Sequence, residues 1–61
     1  MKHYEIYRLD DPKWVSGAQY AESPEEALEK EAKLYPDCIV DTGILTLINQ
    51  NGAHGVREAI A

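Results

Sequence analysis

The sequence predicts an α+β fold: a small antiparallel sheet with one covering helix, in the order β-β-α-β, ending in a short β or α C-terminal segment. Three observations lead there. Residues rich in β-formers alternate on both sides of an Asp-Pro turn, a Ser-Pro-Glu-Glu run opens an amphipathic helix, and a β-branched apolar stretch ends in Asn-Gly. The 61 residues are read as one domain, 1–61, too short for a second.

From Lys2 to Leu9, Tyr4 and Ile6 fall on one side and His3, Glu5 and Tyr7 on the other, which predicts strand one. Asp10-Asp11-Pro12-Lys13 follows, with Asp ahead of a proline whose fixed φ suits the second position of a type I turn. Trp14 to Ala21 then reads as strand two, pairing back on strand one as a hairpin, with Gly17 marking a bulge. Ser23 is the expected helix N-cap, Pro24 the first helical residue and Glu26 the partner that closes a capping box. Ala27, Leu28, Ala32 and Tyr35 share one stripe, Glu26–Lys30 and Glu29–Lys33 are i,i+4 pairs, and Pro36 stops the helix near Tyr35.

Cys38 to Ile48 reads as strand three, kinked at Asp41-Thr42-Gly43, and Asn51-Gly52 is a strong hairpin signal. The tail from Ala53 to Ala61 fits either a short strand or a short helix. Strand three is apolar on both faces, because Leu45 and Leu47 point opposite to Ile44 and Ile48, while a single helix covers one face of the sheet. The tail, a second copy or a partner is therefore expected on the other face, and Leu45 and Leu47 are the candidate dimer surface.

Charge narrows the function classes. With 11 Asp and Glu against 6 Lys and Arg, the chain lacks the clustered cations that neutralise phosphates, so neither direct nucleic-acid binding nor an anionic membrane surface is expected. No apolar run approaches the length of a membrane span, and Met1-Lys2-His3-Tyr4-Glu5 is unlike a signal peptide, which makes the cytoplasm the expected compartment. Cys38 has no second cysteine, so no disulfide framework forms.

Side chains that carry chemistry are sparse. Asp41-Thr42-Gly43 after Ile39-Val40 matches the triplet of aspartic proteases, but Ile44 stands where a small residue is usual and no flap is apparent, so a polar bend is the expected role. His3, His54 and Cys38 lack close ligand spacings, and no metal or cofactor is expected. Each histidine is expected half-exposed, and Cys38 is expected in the core, beside Asp37, which would oppose a thiolate. In a chain without phenylalanine the core should claim most of Tyr4, Tyr7, Trp14, Tyr20 and Tyr35, leaving Trp14 as the aromatic candidate for a partner contact.

The run Tyr20-Ala21-Glu22-Ser23-Pro24-Glu25-Glu26-Ala27-Leu28-Glu29, ending at Tyr35, together with the order hairpin, capped helix, apolar strand, resembles the small phage-encoded inhibitors of bacterial RNA polymerase and similar small phage and plasmid proteins. The resemblance spans residues 2 to 36. It implies a shared fold plan and a phage or mobile-element origin. Those inhibitors carry arginines on their last strand and Ile44 to Leu47 has none, so no residue there is carried over. The expected function is a non-enzymatic acidic module that occupies a basic surface of a host protein. Its expected contacts are Asp10, Asp11, Trp14, Glu22, Glu25, Glu26 and Glu29. The alternative is an assembly homodimer paired through strand three.

Overall fold

The computed structural model describes residues 1–59. It forms a five-stranded antiparallel sheet with one helix packed on one face: β1 (Lys2–Arg8), β2 (Val15–Ala21), α1 (Pro24–Leu34), β3 (Ile39–Asp41), β4 (Thr46–Asn49) and β5 (Gly52–Glu58). The strand order is β2-β1-β5-β4-β3. The α+β class is thus as expected, with five strands: the tail takes the strand of its two expected readings, and the expected third strand is divided in two.

The first half follows local chemistry closely. The Trp14 amide donates to the Asp11 carbonyl across Pro12, and the Arg8 amide donates to the Trp14 carbonyl, so the Asp-Pro turn closes the β1–β2 hairpin. The register slips between Ile6 and Tyr7, which face Gly17 and Val15, leaving Ser16 as the extra residue of the expected bulge. Ser23 is extended and its hydroxyl accepts the Glu26 amide at 3.2 Å, the predicted N-cap. The Glu26 carboxylate does not reach back to complete the box. It pairs with Lys30 at 3.3 Å, and Lys30 also donates to the Tyr20 carbonyl at 2.7 Å, tying the helix to the end of β2. Among the described residues, Glu29–Lys33 does not close.

The second half departs from expectation. Strand three is not one kinked strand but two, β3 and β4, which pair antiparallel with Ile39 opposite Ile48 and Val40 opposite Leu47. The Asp41 carboxylate accepts the Gly43 amide at 2.9 Å and the Ile44 amide at 3.4 Å, and Leu45 completes the reversal with φ of +54°. The aspartate triplet therefore serves a turn. Gln50-Asn51 forms the next loop, and Gly52, at φ +112°, supplies the positive φ that the Asn-Gly signal promised. The tail is neither a cover nor a helix over its described length. As β5 it is the central strand, paired with β1 on one side and β4 on the other. The last two residues of that tail, 60 and 61, lie outside the described residues.

Beneath α1, the core joins Tyr4, Ala21 and Ala27 to Ile6, Leu28 and Leu47, with Val56 packed against both groups. This corrects the candidate dimer surface. Leu47 is 1% exposed, on the helix-facing side of β4, and Leu45 packs against the same core from the turn. A buried leucine cannot meet a second copy. The aromatic expectation is corrected too: Tyr4 enters the core and Tyr7 is half-buried, whereas Trp14, Tyr20 and Tyr35 are exposed. Cys38 is half-buried, packed at the edge of the core as expected.

Candidate functional site

On the helix side of the sheet, where the C-terminal end of α1 faces the β1–β2 and β4–β5 turns, a cleft of about 360 Å³ opens. Arg8, Trp14, Ser16, Glu31, Tyr35 and His54 line it, together with Asn49 and Asn51 of the β4–β5 turn. Each wall has a local cause. The bulge at Ser16 turns that residue and Trp14 toward the helix side. Glu31 lies three and four residues after Leu28 and Ala27, so it shares their buried stripe. His54 faces the helix because it pairs with Leu47 across β4 and with Arg8 across β1.

Two buried titratable side chains meet in this cleft. Glu31 is 5% exposed, and its Oε1 accepts from Gln19 Nε2 at 2.8 Å. A Cβ on Gly17 would collide with the Glu31 carboxylate, so the absent side chain at Gly17 is what makes room for it. Among the described residues no cation pairs with it. His54 is 2% exposed, against the half-exposed position expected of it, and its Nδ1 lies 3.1 Å from the Gly52 carbonyl. A carbonyl only accepts, so Nδ1 carries a proton, and among the described residues Nε2 makes no hydrogen bond.

Arg8 brings a cation to the rim, but Asp10 matches it in a fork, with Nε to Oδ1 at 2.9 Å and Nη2 to Oδ2 at 2.8 Å. The hydrogen bonds from Arg8 hold the Asp10 carboxyl below its ordinary value, with the Arg8 charge acting the same way. In return Asp10 makes the guanidinium hold its proton more tightly. Among the described residues no three His, Cys, Asp or Glu side chains are grouped to hold a metal ion.

The acidic residues singled out in the sequence do not form one surface. Asp10, Asp11 and Trp14 stand at the hairpin turn, while Glu22, Glu25 and Glu26 stand at the helix start, separated by the seven residues of β2, about 20 Å of strand. Glu25, Glu26 and Glu29 lie on the side of α1 opposite Ala27, Leu28 and Glu31, with Glu22 just ahead of them. Asp10 and Glu26 are held in ion pairs, and Asp11 accepts the Lys13 amide in the turn. Among the described residues Glu22, Glu25 and Glu29 have no cationic partner.

The sheet face away from the helix is dressed mainly by its own side chains. Tyr7 lies against Gly55, where a Cβ would come within 2.9 Å of the ring, and Arg57 sits over Tyr7 at 4.5 Å while reaching Glu5 at 3.4 Å. His3 stacks on Tyr20 at 4.5 Å. What stays bare is at the β3 edge, where Ile39 and Ile48, opposite each other in register, are 68% and 49% exposed.

No family model matches the chain, and neither a curated protein nor a solved structure matches it. The chemistry of the cleft therefore rests on its own geometry. Sequence reasoning missed Glu31, although its i+3 and i+4 spacing from Leu28 and Ala27 was a usable signal. It missed the burial of His54 because the strand that buries it was left open.

Proposed function

We propose that this chain is a non-enzymatic acidic binding module that occupies a basic surface of a protein partner, the outer side of α1 supplying the contact. The observation that carries the reading is the uncompensated charge there: Glu25 and Glu29 on the outer side of the helix, and Glu22 just ahead of it, have no cationic partner among the described residues, in a chain of net charge −5. Carboxylates so placed compete for a surface that evolved to hold phosphates. Trp14 and Asp11 at the hairpin turn are a second contact region, about one strand length away. The resemblance of residues 2 to 36 to phage inhibitors of RNA polymerase makes a host nucleic-acid enzyme, met in the host cytoplasm, the partner class of this reading. No helix among the described residues is long and apolar enough to cross a membrane.

Capture of partners from bacterial lysate by wild type and by the Glu25→Lys, Glu29→Lys double variant tests it. The double variant is expected to lose most of the capture while keeping a folded spectrum, because a change at the exposed Glu29 costs about 0.5 kcal/mol and one at the half-buried Glu25, in the first helical turn, about 1 kcal/mol at most. Equal capture by both proteins refutes the acidic contact.

A second reading, a homodimer, is favoured by the bare Ile39–Ile48 pair beside the free edge of β3. It moves the self-association surface from Leu45 and Leu47 to the opposite side of the sheet. Sedimentation of wild type and Ile48→Glu decides: a dimer that the substitution dissociates supports it, and a monomer at millimolar concentration removes it.

A further inference from the structure

Glu31 is the anomaly in this fold. A nearly buried carboxylate is costly unless a cation or several donors replace its hydration, yet it receives one neutral hydrogen bond, from Gln19, and no ion pair among the described residues, while its other oxygen is not sealed off and opens on the cleft. His54, lining the same cleft, is almost wholly buried as well, with Nδ1 engaged by the Gly52 carbonyl and no hydrogen bond to Nε2 among the described residues. Both line one cleft, and both ask for a donor.

The other walls say which donor. Trp14 and Tyr35, exposed at 60% and 51%, line the cleft and give it aromatic surface, which suits a flat cation. The charge of Arg8 is offset by its fork with Asp10, so Glu31 is left as the carboxylate of the cleft with no cationic partner among the described residues. At about 360 Å³ the space is at the small end of ligand pockets, large enough for one side chain. Planarity, single positive charge and several N–H donors in a fork together describe a guanidinium.

We propose that the cleft takes the arginine side chain of a protein partner, its guanidinium donating to Glu31 and to His54 Nε2 between Trp14 and Tyr35. The inference rests on the reading of the chain as a module for basic surfaces, and gives that surface a specific anchor distinct from the outer side of α1. Diffuse attraction through Glu22, Glu25 and Glu29 then steers the encounter, while one inserted arginine fixes the register.

The test titrates the isotope-labelled full chain, followed by NMR, with arginine capped at both ends by neutral amides, and in parallel with capped lysine, capped citrulline and inorganic phosphate. Capped arginine is expected to saturate in the millimolar range, with shifts concentrated at the Trp14 indole, the Gln19 side-chain amide and His54. Citrulline, which keeps the shape without the charge, is expected not to saturate, and lysine is expected to bind several-fold more weakly. Glu31→Gln should weaken arginine binding at least tenfold. Trp14→Ala, at an exposed position, should weaken it several-fold in a folded protein and keeps the test decisive if Glu31→Gln does not fold. The Glu25→Lys, Glu29→Lys double variant should bind capped arginine like wild type, even where it loses lysate capture. The two ideas therefore fail separately: loss of capture without any arginine binding removes the anchor alone. Absence of saturable shifts, equal binding of lysine or citrulline, preference for phosphate, or full affinity in the Trp14→Ala protein each overturns the proposal.

Discussion

Gly17 and Glu31 define each other. The glycine was legible as the mark of a bulge, but its stronger reason lies across space, in a carboxylate that passes where a methyl group would stand. Gly17→Ala should therefore leave the hairpin paired, since the obstructing atom ends a flexible side chain, and should displace Glu31 from Gln19. Loss of the Gln19 side-chain amide's hydrogen-bonded shift in NMR is the expected sign, and an unchanged shift would mean that the carboxylate does not depend on the gap. Ser23 is the simpler case, because its role follows from local chemistry alone: Ser23→Ala should cost about 1 kcal/mol in denaturant unfolding by leaving the Glu26 amide unsatisfied. For Asp10, the folded pKa lies below the ordinary 3.8, so the stability it contributes is present above that value and is lost as pH falls through the folded one. A carboxyl titration by NMR should place its midpoint below 3.8, and Arg8→Ala should return it to the ordinary value.

At the scale of elements, the hairpin and helix were legible because their signals are short-range. Asp-Pro sets a turn, Ser-Pro-Glu-Glu sets a helix start, and Pro36 sets a stop within one residue of the observed end at Leu34. The split of strand three was not legible for an equally physical reason. Its reversal runs through Leu45 in a left-handed conformation that leucine seldom adopts, and the compensation is tertiary, the side chain packing on Ile6, Leu28 and Leu47. The central strand β5 was obscure too, since Gly52, Ala53, His54 and Gly55 are weak β-formers, and pairing on both sides makes them a strand. The consequence for stability is specific. Leu47→Ala should destabilise the isolated chain by about 2–5 kcal/mol in chemical unfolding, as a core residue does. A loss below about 0.5 kcal/mol would return Leu47 to the surface. Gly55 is the matching position on the other face, beneath the Tyr7 ring.

Across the whole molecule, charge and packing divide the labour. One face of the sheet holds the core, the opposite face is dressed by Tyr7, Arg57 and His3–Tyr20, and three carboxylates without a cationic partner among the described residues, Glu22, Glu25 and Glu29, stand at the start and outer side of the helix. The acidic flank was readable in the sequence, while the cleft was not, because four separated segments build it: Arg8, Trp14 and Ser16, Glu31 and Tyr35, and Asn49 to His54. The central claim is that the flank stands in for nucleic acid on a basic partner surface. Its most direct measurement is displacement of the captured partner by duplex DNA at fixed low salt, well below the ~0.15 M at which charges more than about 8 Å apart are largely screened. The account predicts that DNA releases the partner in a concentration-dependent way from the wild-type chain. A partner that binds DNA and this chain together, with no loss of either, would contradict it.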